Sequence, residues 1–581
     1  MGSSTVVHHE TTTHDEPIIR HCHRHEMVTD DEKNGRISMK TIVIVLAIDF
    51  IYLAQLVILV GAGAYARDIA AVVGGSTQTV WLSQVLVIGT TSLSPVVAQA
   101  ADYWGRKWFL VPLTALGVPG AIIVSRANTI GMVIAGLSIT GLSFAAQPLL
   151  HAVVSEVLPR KQRPWAQASI NISASMGGIL GLLVGGALTR HGRSEGFRAY
   201  FYMVAAINAA ASITCALLYN PPTRELQTSL STEEKLHRLD WIGYPLLSIG
   251  LILFSIALSW SQNPYPWTDA HVLATFLVGS VLLLVFASYE KLGRKDGMFH
   301  HGLFLNRNYT LALMCIFIEG LVFLAANNYY AFEVSVLSTQ DPIVGGLHYC
   351  VMFLLLGLSA MGAGTYCSRF KSVRWPAVFS LTCLMVFNVL MATIKVDSPR
   401  AVLWGYPVIL GLGLGSCLIA LLVVAQLSTP PELIAIASGL MVAVRSFGGT
   451  IGLAVYNAIF NHTFSANLAS KIATATLPLG LPTASLGPLI DAVLTQDNAA
   501  LAEISGVTPE IIGAAVGGLT ETYVLAFRYV WVAAACFTSV GVILSFFIFD
   551  PKKDFNAHID APVENIVVVH HEEISDQKAE S

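Results

Sequence analysis

Charge is what this 581-residue chain has least of: Asp, Glu, Lys and Arg together make up 12% of it. A soluble domain carries roughly 25%, so there is too little charge here to cover a water-facing surface. Cysteine is sparse as well, with eight scattered residues and no CxxC or ligand-like spacing. That excludes a disulfide scaffold, and the cysteines read as small packing residues with no metal or redox role. There is no basic excess: the net charge is −4, which removes the electrostatic footprint of a nucleic-acid binder. No signal peptide is expected, because the first 40 residues are polar and carry Arg20, Arg24, Lys33, Arg36 and Lys40. The apolar run that follows is long enough to stay in a bilayer.

What the chain has is hydrocarbon. Hydrophobic residues make up 54%, and 47 glycines lie among them, a composition suited to helices packed closely in lipid. A bilayer core of ~30 Å takes about 20 helical residues, and fourteen runs meet or approach that length. They are Thr41–Gly63, Val80–Ala100, Trp108–Val124, Ile130–Val154, Ala166–Leu188, Tyr200–Leu218, Trp241–Trp260 and Val272–Tyr289. Then come Tyr309–Phe332, Ile343–Tyr366, Trp375–Ile394, Val402–Ala425, Leu433–Phe460 and Tyr523–Phe549. The fold class is an all-α polytopic membrane protein. Lys and Arg favour the loops on the side of the N-terminus, as in Arg106-Lys107, Arg160, Lys161, Arg163 and Arg369, Lys371, Arg374. That bias puts both tails in the cytoplasm, although Arg190, Arg193 and Arg198 crowd one outer loop.

Polar stretches punctuate the bundle. Residues 219–240 contain Pro221 and Pro222 and read as a cytoplasmic linker. Residues 461–522 read as an outer loop, with short helices expected near Pro488–Ala500 and after Thr508-Pro509-Glu510. Within this loop Asn461-His462-Thr463 is a glycosylation acceptor. The tail over 1–40 holds His8, His9, His14 and His21-Cys22-His23-Arg24-His25. It reads as solvated and disordered, with metal binding as the alternative. The tail over 550–581 is polar.

Charges inside a bilayer are expensive and are functional candidates. Asp49, Glu319 and Arg445 lie eight, ten and twelve residues into their runs, about 12, 15 and 18 Å deep. A dehydrated carboxylate at such depth can exchange a proton as a cavity changes face. The alternative is a packing ion pair between Arg445 and Asp49 or Glu319. Gln55, Gln147, Asn327, Asn328, Tyr329 and Tyr330 supply hydrogen-bonding groups that suit an uncharged oxygenated ligand if they face a cavity. Their other reading is interhelical bonding or an interfacial belt.

Two motifs add specificity. After the second run, Ala98-Gln-Ala-Ala-Asp102-Tyr-Trp-Gly105-Arg106-Lys107 resembles the major facilitator superfamily signature G-x-L-a-D-r-x-G-r-k. Asp102, Gly105, Arg106 and Lys107 are in place, and the departures are Ala98, Ala100 and Tyr103. In the fifth run Gly177, Gly181, Gly185 and Gly186 resemble the superfamily's antiporter motif g-x-x-x-G-P-x-x-G-G, with Leu182 where Pro belongs. Fourteen runs, with Asp240-Trp241-Ile242-Gly243 opening the seventh, look like the 14-helix drug:H+ antiporter subgroup. Ala54-Gln55, Val60–Ala64 and Glu156-x-x-Pro159-Arg160-x-x-Arg163 resemble the fungal trichothecene efflux pump family. The superfamily's Arg and Gln pattern in the fourth helix is absent, with Leu137 and Thr140 at those positions.

The resemblance implies a major facilitator fold: six-helix bundles over 41–218 and 309–549, with two inserted helices over 241–289. It implies alternating access about a midplane site. Asp49 and Glu319, on the first helix of each half, are then the expected proton-linked pair, with Arg445 beside them. Asp102 to Lys107 would form a gating loop. The implied activity is proton-coupled export of an amphipathic fungal metabolite or toxin of the trichothecene kind, giving self-protection. Its partners would be a small molecule, protons and the bilayer, with no nucleic acid, no cofactor and a monomeric chain. The plasma membrane is the expected site, with a vesicle or vacuole as alternative. The rival reading is siderophore–iron or other small-molecule symport. An enzyme or receptor lacks any clustered ligands or nucleophile–base pair to support it.

Overall fold

The computed structural model describes residues 37–561, apart from 76–77, 190–194, 223–226, 228–230, 262–264, 293–300, 339–340, 496–500 and 502–503. The histidine-rich stretch, Arg190, Arg193 and the tail after 561 lie outside the described residues.

Among the described residues, fourteen helices are long and apolar enough to cross a bilayer. They are α1 (Met39–Ala64), α2 (Trp81–Trp104), α3 (Lys107–Ser125), α4 (Ile130–Glu156), α5 (Arg160–Thr189), α6 (Gly196–Leu218) and α7 (Gly243–Trp260). The rest are α8 (Ala270–Leu292), α9 (Arg307–Leu337), α10 (Ile343–Phe370), α11 (Arg374–Ala392), α12 (Ala401–Leu427), α13 (Ile434–Leu479) and α14 (Pro509–Ser545). Several start at side-chain caps that satisfy an otherwise orphaned N–H: Ser38 for Lys40, Asn306 for Asn308, Asp341 for Ile343 and Thr508 for Ile511. The end of the bundle where α1 begins is called the near end below, and the opposite one the far end.

The packing repeats with an offset of eight helices. In the first half α1 packs on α5 and α6, α3 on α4 and α6, and α2 on α4. In the second, α9 packs on α13 and α14, α11 on α12 and α14, and α10 on α12. The halves meet crosswise, α5 against α10 and α2 against α13. The inserted α7 and α8 pair with each other, and α7 leans on α2 and α13. Most of α8 is exposed, as befits a helix whose neighbour is lipid, whereas α12 is apolar all round and buried.

Three boundaries differ from the sequence reading. The expected outer loop over 461–522 is largely helix. No Gly or Pro interrupts Asn461–Thr476, so α13 runs on past the apolar stretch, and α14 begins at Pro509. Between them the helix Leu486–Thr495 closes a small separate core around Ile472, Leu489, Val493 and Ile511. Asn461 accordingly sits half-buried in an unbroken helix, not in a loop. In addition, α4 is broken by a turn at Ala145-Ala146 before Pro148. Lastly, α9 passes through a π-helical stretch, Ala326–Tyr330, and continues as α-helix beyond Phe332 to Leu337. The linker contains a short helix, Thr232–Arg238, closed by a Ser231–Glu234 capping box.

Candidate functional site

Between the halves lies a cavity of about 70 Å³. Its polar wall comes from Tyr52 on α1, Gln147 on α4 and Asn171 on α5, facing Arg445 and Ser446 on α13. Leu56, Phe144, Phe323 and Phe353 make much of the rest apolar. Gln147 Nε2 donates to the Tyr52 hydroxyl at 3.1 Å, and the Tyr52 ring meets His151 edge-on with centroids 5.5 Å apart. Wider cavities of about 470 and 500 Å³ open on the flanks, one among α10–α12 and one between α2, α7, α8 and α13. Neither borders the α5–α10 seam, and the second lies where α2 of one half meets α13 of the other.

Arg445 reaches this wall from an ion pair. Its Nε donates to Glu319 Oε2 at 2.6 Å and its Nη2 to Oε1 at 2.9 Å, a bidentate geometry on a carboxylate with no exposed surface. The guanidinium also sits over the Phe323 ring, 4.7 Å from its centroid. Close packing of α9 on α13 makes the pair reachable. A Cβ on Gly448 would lie 2.3 Å from the Phe317 carbonyl oxygen, and one on Gly452 2.9 Å from the Leu321 carbonyl oxygen. Asp49 is 3% exposed and accepts a hydrogen bond from the Ser169 hydroxyl at 3.3 Å, outside the cavity wall. Asp49, Glu319 and Arg445 lie ten, twelve and eleven residues from the near ends of their helices. At 1.5 Å per residue that is about 15, 18 and 17 Å, so all three share one level.

Of the groups expected to line a cavity, Gln147 does. Gln55 instead donates to the Ser143 carbonyl at 2.9 Å, tying α1 to α4. Tyr329 donates to Asn457 at 2.6 Å and Tyr330 to the Leu403 carbonyl at 2.5 Å, both inside the second half. Their hydroxyls are spent on neighbouring helices, so they serve packing. Asn328 is half-buried, and the side chain of Asn327 lies outside the described ones. Tyr52, Asn171 and Ser446 were not singled out from the sequence, where a polar group on a spanning helix does not show which neighbour it faces. Tyr52 follows Asp49 by three residues, which puts both on one helical face, and that spacing could have found it. Glu333 was missed because the ninth run was closed at Phe332. It is 1% exposed and accepts the Trp531 indole N–H at 2.8 Å.

The near-end motif folds as a bracket within the first half. Gly105 ends α2 with φ +99°, a conformation that favours glycine. Arg106 is then held by Glu156, one of its contacts being 2.6 Å, and by Asp102 at 3.3 Å. Burial works against the charge of Arg106, but the two carboxylates outweigh it and raise its pKa further above the ordinary range. Lys107 Nζ donates to the Ala216 carbonyl at 2.7 Å and to Asn220. A second near-end network, unseen in the sequence, crosses between halves. Gln426 Nε2 donates to the His151 carbonyl at 3.3 Å and to Ser438 at 3.1 Å, while Arg163 donates to the Gln426 carbonyl at 3.1 Å.

The glycines of α5 divide into two faces. Gly177, Gly181 and Gly185 admit α1 and its neighbours: a Cβ would lie 2.6 Å from the Leu53 carbonyl oxygen at Gly177 and 2.1 Å from the Tyr65 ring at Gly185. Tyr65 uses the space to donate to the Gly181 and Leu182 carbonyls, at 3.2 and 2.8 Å. Gly178 and Gly186 admit Phe353 and Ile343 of α10. The α5–α10 seam therefore extends from Pro164 against Gly364 at the near end to Gly186 against Ile343 at the far end. A ligand pocket for a drug-sized molecule spans roughly 300–1,000 Å³, so the halves must part before this cavity can admit one.

Comparison with known proteins agrees with this architecture. The proton:xylose symporter XylE, of the major facilitator superfamily, superposes with TM-score 0.55 at 12% identity, covering 90% of this chain and 99% of that one. A bacterial homologue of the human lysosomal transporter Spinster, in an inward-facing conformation, gives TM-score 0.52 at 16% identity, covering 88% and 98%. In sequence, the MFS-type transporter gkaD of Penicillium citrinum is 24% identical, covering 81% of this chain and 78% of the relative. The trichothecene efflux pump of Fusarium sporotrichioides is 22% identical, covering 81% and 80%. These relatives and structural neighbours are transporters. The family described as fungal trichothecene efflux pump matches residues 23–571. With that match over nearly its whole length, this multi-pass membrane chain belongs to the fungal trichothecene efflux pump family of major facilitator transporters.

Proposed function

We propose that the protein exports an amphipathic, uncharged fungal metabolite of trichothecene-like character in exchange for protons, with its near end in the cytoplasm. The observation that carries this reading is Arg445: it lines a cavity between the halves, and Glu319 holds its guanidinium through two hydrogen bonds. Protonation of Glu319 removes one charge of the pair and frees Arg445 to reorganise the wall, which links proton and ligand occupancy. The mixed wall of aromatic rings, Tyr52, Gln147 and Asn171 suits a ligand with an apolar body and a few oxygens. Asp49, at the same level on the corresponding helix, is the second proton site of the proposal. Export would protect the producing cell, at the plasma membrane or by loading an internal compartment. Yeast lacking its own efflux pumps and expressing the chain should survive trichothecene doses that kill the parent strain and should retain less tritiated toxin. Unchanged retention, with radiolabelled ferric siderophore accumulating instead, would replace export with uptake.

A further inference from the structure

The chain after α14 crosses from one half to the other. It is first anchored to the second half: Asp550 accepts the Val373 and Arg374 backbone N–H groups at 2.8 and 2.9 Å and the Ser372 hydroxyl at 3.0 Å, capping α11. Phe555 follows, 2% exposed and packed in the main apolar core. The next residues pair with the α4–α5 turn of the first half. Lys161 N–H donates to the Asn556 carbonyl at 2.9 Å, Arg160 N–H to the His558 carbonyl at 2.9 Å, and Ala561 N–H to the Glu156 carbonyl at 3.0 Å. The Asp560 carboxylate, 3% exposed, accepts from Arg160 at 2.6 Å and from Arg163. Arg163 is itself nearly inaccessible and also grips the Gln426 carbonyl of α12.

We propose that residues 550–561 form a latch that holds the near end shut and must leave the α4–α5 turn each time that end opens. The turn lies on one half, while the latch is rooted in the other through Asp550. Parting the halves at the near end pulls directly on Asp560 and on three backbone hydrogen bonds. Arg163 would lose two partners in the same movement, Asp560 and Gln426, and keep the Ser155 carbonyl of its own half. The Glu156 carbonyl bonds Ala561 while its carboxylate bonds Arg106, so the latch also meets the α2–α3 bracket. A cation or a modifying group that competes for Asp560 would shift the balance between near-open and near-closed states, which makes the segment a regulatory contact on the transport cycle.

The full chain can test this in liposomes without substrate or proton gradient, so the outcome does not depend on the export reading. Ser438, 1% exposed and bonded by Gln426 within the near-end network, is changed to Cys in a background with Cys22 and Cys536 replaced by Ser, and this parent sets the reference rate. Its labelling by a membrane-impermeant maleimide is then timed. Asp560→Asn and, independently, Ala561→Pro, which removes one N–H and no charge, should each speed labelling roughly fivefold or more, the usual lower scale of conformational coupling. Asp560→Glu should restore the slow rate, and deleting 562–581 should leave it unchanged. Reference labelling rates in both Asp560→Asn and Ala561→Pro, with melting temperatures showing both folded, would overturn the latch. So would an unslowed labelling rate in a Lys161→Cys/Asn556→Cys protein whose disulfide is shown to be fully formed.

Discussion

Gly320 lies against Arg445: a Cβ on Gly320 would stand 2.0 Å from the Arg445 carbonyl oxygen, backbone against backbone. This contact seats α9 on α13 next to the point where Glu319 reaches the Arg445 side chain. Gly320→Ala must push the helices apart, since the obstructing atom cannot swing away. We expect a loss of about 1–3 kcal/mol of stability and a weakened pair, read as a lowered melting temperature in detergent. Gly513→Ala, where a Cβ meets nothing within 4 Å, should melt like the wild type. Equal melting of both variants would contradict the helix contact.

The ion pair itself predicts a pattern across variants. Removing one partner from a buried pair strands the other charge and costs about 3–5 kcal/mol. Glu319→Gln and Arg445→Gln should each lower the melting temperature, and the double variant should recover much of the loss. A strictly additive double variant would mean that the two charges do not depend on each other.

Wall residues should affect ligand recognition more than fold. Tyr52→Phe removes the hydroxyl that Gln147 binds, and Gln147→Leu removes the amide. A neutral hydrogen bond is worth about 0.5–1.5 kcal/mol, so KM for a trichothecene should rise about three- to tenfold with little change in kcat. Tyr330→Phe, whose hydroxyl serves Leu403, should leave KM alone. Initial-rate uptake into inside-out vesicles measures all three.

Orientation has its own test. With the near end cytoplasmic, Lys235→Cys in the linker should react with an impermeant maleimide only after cells are permeabilised. Gly513→Cys at the far end should react in intact cells. The reverse pattern would invert the transport direction proposed above.

Helices were legible in the sequence because twenty-residue apolar runs have few alternatives in lipid. The failures were at the ends. Asn461–Thr476 is polar yet free of Gly and Pro, so helix propensity carried α13 beyond the hydrocarbon, and a hydropathy reading stops at Phe460. The Glu319 and Arg445 charges stood out, because burial of charge in a bilayer is conspicuous at any register. Which of them pair is a three-dimensional question that counting along helices left open. Tyr329 and Tyr330 went to packing and Tyr52 to the cavity wall for the same reason: a polar group on a spanning helix does not announce which neighbour it faces. The Asp560 contacts join residues some 400 positions apart, and no local pattern signals them.

Carboxylates that couple proton and ligand movement are tested most directly by trichothecene flux in proteoliposomes across an imposed pH gradient. Wild-type protein should drive tritiated toxin against its concentration gradient, toward the acidic side. Glu319→Gln, or Asp49→Asn, should still exchange toxin at equilibrium but should lose the response to the gradient. If both variants concentrate toxin as the wild type does when one side is acidified, neither carboxylate carries the coupling and the central claim is wrong.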